Sequence, residues 1–231
     1  MTNRVLQFPQ LDGHPRYGRF GNQLLWYAMA RWVAEKYHAQ LQTPDWTGER
    51  IFELNDPPHD QVVDKLLLQW PVPKDQEEWR GYAVLNSDEY CIEPHYTAED
   101  FRRYLPFRPE FRQPGNSYPA VAHLRAGDFL GDHTMWPVVT ERQILQGALE
   151  CGHKQVEIIR EDAPHRNLNH PLKLTWLEDL LIMCAAPVLF VYPSSSFSGA
   201  AALLNPNKVY LPKDYKNGPT ECRWYLRGEK P

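Results

Sequence analysis

Residues 123–129 read HLRAGDF and follow directly on the apolar run Tyr118–Ala122. A histidine, an arginine and an aspartate therefore stand where a buried strand ends, which is where open α/β sheets bind ligands. Arg125 offers a planar five-donor fork suited to a phosphate. His123 can hydrogen-bond a base or a ribose, and Asp128 can orient the arginine or accept a proton. The plainer alternative is an Arg125–Asp128 pair closing a loop.

Two further stretches have the same character. GRFGNQ (18–23) lies between a strand and a helix. Its glycines, Gly18 and Gly21, let the backbone approach a ligand closely, and a helix starting at Asn22 turns free N–H groups toward an anion. The same glycines also suit a tight turn. YPSSSFSGAA (192–201) sits at another strand-to-helix junction. There Ser194, Ser195 and Ser196, followed by Phe197, combine hydroxyls with oriented N–H groups into a cradle for a second phosphate. Serine is also a favoured helix N-cap, which accounts for such a run without a ligand. Three anion-suited junctions in one chain match the charge of a nucleoside diphosphate.

Three acidic residues join this set. Asp179 lies within WLEDLLIMCAAP (176–187), flanked by apolar residues. It either faces solvent or accepts the two donors on the N1/N2 edge of guanine. REDAPH (160–165) puts Glu161 and Asp162 at the carboxyl end of a strand, facing the same crevice.

The elements that must position these residues alternate along the chain. RVLQF (4–8) is expected as a strand, residues 22–39 as an amphipathic helix, and AQLQTP as a second strand. KLLLQW and GYAVL are candidate strands, and TAEDFRRYL is a helix with Thr97 as N-cap. PFRPEFRQPGNSYP (106–119), with four prolines and a glycine, has the composition of a linker. Beyond it AVAHL, QVEIIR, PVLFVY and KVYLP are strands. The helices between them are TERQILQGALECG, capped by Thr140 and ended by Gly152, then TWLEDLLIMCAA and SSFSGAAALLN. The pattern predicts an α/β lobe over 1–115, a second over 116–212, a tail at 213–231 packing back on the first lobe, and a ligand cleft between the lobes.

Composition narrows the partners. The 231 residues carry 25 basic and 29 acidic side chains, net −4, with the basic residues scattered, so no nucleic-acid binder is expected. Aromatic residues make up 13% of the chain, which supplies either a core or stacking surfaces for sugars. Cys91, Cys151, Cys184 and Cys222 form no metal-ligand spacing and read as free thiols. The opening MTNRVLQFPQ has no basic segment followed by an apolar core, and no run approaches a membrane span. A cytoplasmic location is the expectation that follows.

GRFGNQ, HLRAGDF and SSSFSGAA, in this order, resemble the motif set of the GDP-fucose-dependent fucosyltransferases: the α1,2 and α1,6 enzymes and the protein O-fucosyltransferases. GRFGNQ looks most like the protein O-fucosyltransferase version, whereas FGNQLLWYA and SSSFS look more like the α1,2 type, to which the chain as a whole is closest. The resemblance spans residues 18 to about 200. It implies a GT-B-like fold of two Rossmann-like lobes, inverting transfer of L-fucose from GDP-β-L-fucose to a glycan acceptor, and no cofactor or metal. By the same resemblance His123 and Asp179 contact guanine, Arg125 grips the pyrophosphate, Ser194 and Ser195 hold the β-phosphate, and Asn22 with Gly21 faces the reacting centre. Asp179 precedes Ser195 by sixteen positions, as the family's guanine-binding acid precedes its phosphate serine.

One departure bears on the chemistry. Many relatives have two adjacent arginines, and here the second position is Ala126. Arg19 and Arg160 are the candidate substitutes. Asp128 is preferred as general base over Asp132, His133, Asp12 and His14. Three other readings stand beside this one: a transferase for another nucleotide sugar, a degenerate nucleotide- or glycan-binding module, and an unrelated α/β protein. The acceptor, its linkage and the oligomeric state are not encoded in any motif.

Overall fold

The computed structural model describes residues 5–7, 11, 20–56, 65–67, 96–112, 118–124, 140–160, 175–191, 195–212 and 224–227. The chain divides into two compact units, Met1–Arg112 and Gln113–Pro231.

The first unit is built on three parallel strands, β1 (Val5–Gln7), β2 (Gln40–Gln42) and β3 (Lys65–Leu67), in the order β2-β1-β3. The GYAVL segment lies outside the described residues. Helix α1 (Phe20–Lys36) connects β1 to β2. It starts two residues before the expected Asn22, because Phe20 and Gly21 are buried in its first turn. It is also less one-sided than an amphipathic helix: Leu24, Leu25, Trp26, Tyr27, Ala28, Met29 and Ala30 are all buried. A helix apolar around most of its girth is one packed on several sides, and α1 touches β1, β2 and α2 (Ala98–Tyr104). His38 takes the left-handed backbone conformation (φ 50°) just beyond α1. Thr97 caps α2 as its T-x-x-D pattern predicts, since its hydroxyl accepts from Asp100 N–H while the Asp100 carboxylate accepts from Thr97 N–H. The Arg103 fork binds Glu35 at 2.6 and 2.9 Å, tying α2 to α1. This hydrogen bonding pulls the Glu35 carboxyl below its ordinary pKa.

The proline-rich 106–119 stretch is not wholly a linker. Phe107 bridges Phe52, their tilted rings in contact with centroids 4.8 Å apart, Phe111 is buried, and the Arg108 guanidinium donates to the Glu49 and Phe52 carbonyls. Its first half therefore belongs to the first unit, held by aromatic burial and by carbonyls that need donors.

Trp46 is buried and packs on both Phe20 and Tyr27, with ring centroids at 6.1 and 5.2 Å. Gly48 lies so close to this indole that a Cβ there would meet ring carbons at 2.3–2.5 Å. A stiff buried ring already packed on two other aromatic rings has little room to retreat, so Gly48→Ala is expected to cost about 2 kcal/mol by overpacking, read as a lower urea midpoint at unchanged slope.

The second unit holds five strands: β4 (Val121–Leu124), β5 (Glu157–Arg160), β6 (Val188–Phe190), β7 (Lys208–Pro212) and β8 (Trp224–Leu226). Their order is β5-β4-β6-β7-β8, parallel except for the antiparallel edge strand β8. The tail was expected to return to the first lobe; its Trp224–Leu226 segment instead extends this sheet. Arg227 holds it there by donating to the Ala202, Asn205 and Asn207 carbonyls at the end of a helix.

Helix α3 (Glu141–Glu150) lies on one face of the sheet, where Ile144 and Ala148 pack with Ala120, Ala122, Leu124, Val188 and Phe190. Thr140 caps it and Gly152 (φ 87°) follows it, a backbone angle that favours glycine. The alternate residues of β4 point to the other face, and there His123 meets α5 (Ser196–Leu204). α5 packs on α4 (Thr175–Ala185), which also contacts β4. Among the described residues no helix is long and apolar enough to cross a membrane. Cys151 and Cys184 are free thiols.

Candidate functional site

The order β5-β4-β6 contains a topological switch point. The chain leaves β4 for β5 on one side, then returns to place β6 on the other. In doubly wound sheets the crevice outside the carboxyl ends of the two strands flanking such a point receives the ligand. Those strands here are β4 and β6, paired through Val121–Leu189 and Ala122–Phe190. β4 runs into HLRAGDF and β6 runs into YPSSSFSGAA. Two of the three anion-suited motifs thus follow adjacent strands of one sheet in the sequence.

His123 is the next-to-last residue of β4, is only 5% exposed, and sets Nδ1 2.5 Å from Ser198 Oγ. Its ring lies 5.8 Å from Phe197, which in turn meets Trp176 edge-on at 6.3 Å. Ser195 is the N-cap of α5; its Oγ accepts the Ser198 N–H at 3.4 Å. The capping role of the serine run is therefore realised. A hydroxyl that accepts from a backbone N–H still has its own hydrogen to give, so capping and anion binding are compatible. Ser195 is buried and Ser196 half-buried. No acidic residue occupies the first turn of α5, so the positive end of its dipole is not offset from within the helix.

Asp179 is half-buried on α4, with its Oδ1 enclosed away from solvent. The neighbouring Glu178 also has an enclosed oxygen, Oε2, which accepts no hydrogen bond from the described residues. α4 packs on both α5 and β4, so it belongs to the same face of the sheet as His123.

In the first unit, Gly21 is buried and Asn22 half-buried in the opening turn of α1, on the connection leaving the central strand β1. Arg19, Arg125, Asp128, Asp162 and Ser194 lie outside the described residues. So do Glu161, Asp132, His133, Asp12 and His14. Arg160, one candidate substitute for a second arginine, is engaged elsewhere: its guanidinium donates to Glu141 at 2.9 Å.

Sequence reasoning missed Ser198 and Trp176. Ser198 stands three residues after the cap residue Ser195, the position whose N–H a cap accepts, and that spacing was the available signal. Nothing local marks its partner, seventy-five residues earlier in the chain.

No protein-family description and no curated protein sequence matches the chain. Its fold is nevertheless shared with solved structures over nearly its whole length. NodZ alpha-1,6-fucosyltransferase soaked with GDP-fucose aligns with a TM-score of 0.50 at 14% identity, covering 97% of this chain and 99% of that one. Fucosyltransferase NodZ from Bradyrhizobium in its Se-Met form gives 0.51 at 13% identity, with 97% and 98% covered. POFUT1 in complex with GDP gives 0.49 at 13% identity, with 96% and 97% covered. At these identities the likeness to the two NodZ structures is one of fold.

Proposed function

We propose that this chain is a glycosyltransferase that moves L-fucose from GDP-β-L-fucose to a hydroxyl of a glycan acceptor, with inversion at the anomeric carbon. The observation that carries the reading is the switch point of the second unit, whose two flanking strands lead into the arginine-bearing and serine-rich motifs. The fold shared with NodZ, whose structure was soaked with GDP-fucose, supports it.

In this reading each of the two units is a Rossmann-like lobe of a GT-B-like fold. His123 and Asp179 contact the guanosine, Arg125 grips the pyrophosphate, and Ser194, Ser195 and Ser196 with the first N–H groups of α5 hold the β-phosphate. Phe197 buttresses His123, and Gly21, Asn22 and Arg19 border the reacting centre. Asp162, two residues after β5 in the sequence, is assigned to the same ligand by the doubly wound rule.

The acceptor hydroxyl attacks C1 of fucose as the bond to the β-phosphate oxygen breaks, through an oxocarbenium-like state. The hydroxyl proton passes to Asp128, and the two electrons of the broken bond leave with GDP. Catalysis then consists of holding two substrates in line and neutralising the departing phosphate. The sequence contains no aspartate-x-aspartate pair. The Arg125 guanidinium and the α5 dipole take the electrostatic role, and the reaction needs no metal.

Incubation with GDP-fucose and a panel of galactosides tests this: the expected result is GDP release matched by fucosylated product. The substitution of Ala126 for the relatives' second arginine favours one other reading, a degenerate module. Saturable GDP binding with no release from GDP-fucose in the presence of any acceptor would establish that module instead.

A further inference from the structure

Ser198 is fully buried, and its hydroxyl has to place one hydrogen. Its backbone N–H is already committed to Ser195 Oγ. The acceptor within reach of the hydroxyl is His123 Nδ1 at 2.5 Å, and the described residues offer it no second one. Buried polar hydrogens are paired in native structures because leaving one unpaired forfeits its solvation. Nδ1 can accept only if it carries no proton, and in a neutral imidazole the proton then sits on Nε2. Among the described residues, the reverse arrangement, Nδ1–H donating to Oγ, leaves the enclosed hydroxyl hydrogen without an acceptor.

We propose that Ser198 is a positioning residue that locks His123 in its Nε2–H tautomer, so that the imidazole at the end of β4 presents a fixed hydrogen-bond donor beside the first turn of α5. Phe197, held edge-on by Trp176, restrains the same ring. Because the Ser195 hydroxyl receives the Ser198 N–H, one residue sets both the cap of α5 and the protonation pattern of the histidine. A donor of fixed direction suits the acceptor atoms of a nucleoside diphosphate, such as a ribose or phosphate oxygen or the N7/O6 edge of guanine. The ligand class rests on the nucleotide reading given above; the tautomer does not.

Two measurements on the full chain separate these. Nitrogen-15 resonances of His123 in the ligand-free protein should show Nδ1 unprotonated and Nε2 protonated, Ser198→Ala should bring both nitrogens to averaged values, and Ser198→Thr should restore the wild-type pattern. Calorimetric titration with GDP should show affinity falling about tenfold in Ser198→Ala, the scale of one hydrogen bond to a charged or well-oriented partner, and recovering in Ser198→Thr. A wild-type ring protonated on Nδ1, or already averaged, overturns the lock whatever the nucleotide does. A locked ring with equal GDP affinity in wild type and Ser198→Ala overturns its role in binding. Failure of the wild type to bind GDP refutes the nucleotide reading, and the resonances then decide the tautomer by themselves.

Discussion

Replacing Arg125 with alanine is expected to lower fucosyl transfer by about a hundredfold or more, the scale for losing one preorganised donor to a developing negative charge. The effect should fall on the chemical step, because charge builds on the β-phosphate as the glycosidic bond lengthens. With Ala126 beside it, Arg125 is the one arginine of the HLRAGDF motif. Arg125→Lys should recover only part of the rate, since an ammonium is a point charge and cannot span two phosphate oxygens. Single-turnover rates with GDP-fucose, alongside far-ultraviolet circular dichroism, give the comparison. Near-normal transfer by a folded Arg125→Ala protein would remove the arginine from the mechanism.

The largest expected effect on stability belongs to Asn205, at the end of α5. It is fully buried; its Nδ2 donates to the Met183 and Ala186 carbonyls at 2.7 and 2.9 Å, and its Oδ1 accepts the Asn207 N–H at 2.6 Å. This one amide closes the carboxyl end of α4 and starts the approach to β7. Asn205→Ala strands buried backbone groups and leaves a void, and the cost should be about 3 kcal/mol. Asn207 Nδ2, which also reaches the Ala186 carbonyl at 3.1 Å, offsets a small part of it. Urea denaturation of the two proteins reads the difference, and a change within 0.5 kcal/mol, the ordinary scatter of surface substitutions, would show that Asn205 is not the closure it is taken for.

These two residues differ in how plainly the sequence announces them. Features written into a few consecutive residues were legible: the caps at Thr97 and Thr140, the glycine after α3, and the strand–helix alternation that forces parallel pairing in the second unit. The switch-point motifs were legible for the same reason, since a strand, a turn and a helix start are adjacent in the chain. Features created by distant partners were not. The prolines at 106–119 suggested a linker, while Phe107 and Arg108 are held by Phe52 and Glu49, more than fifty residues upstream. β8 exists because β7 offers an open edge, which three residues of tail cannot reveal. The start of α1 was misplaced because Gly21 read as a turn, whereas tertiary burial of Phe20 and Gly21 extends the helix over it. Asn205 and Ser198 are in the same class: each is an unremarkable polar residue until the fold supplies its partners.

The claim on which the functional account turns is that the groups following β4 and β6 hold the same diphosphate. A crystal structure of the chain with GDP measures this directly. The account predicts phosphate oxygens within hydrogen-bond distance of both the Arg125 guanidinium and the Ser195 turn, with guanosine beside His123 and Asp179. A nucleotide bound elsewhere, or one touching only one of the two motifs, would contradict it.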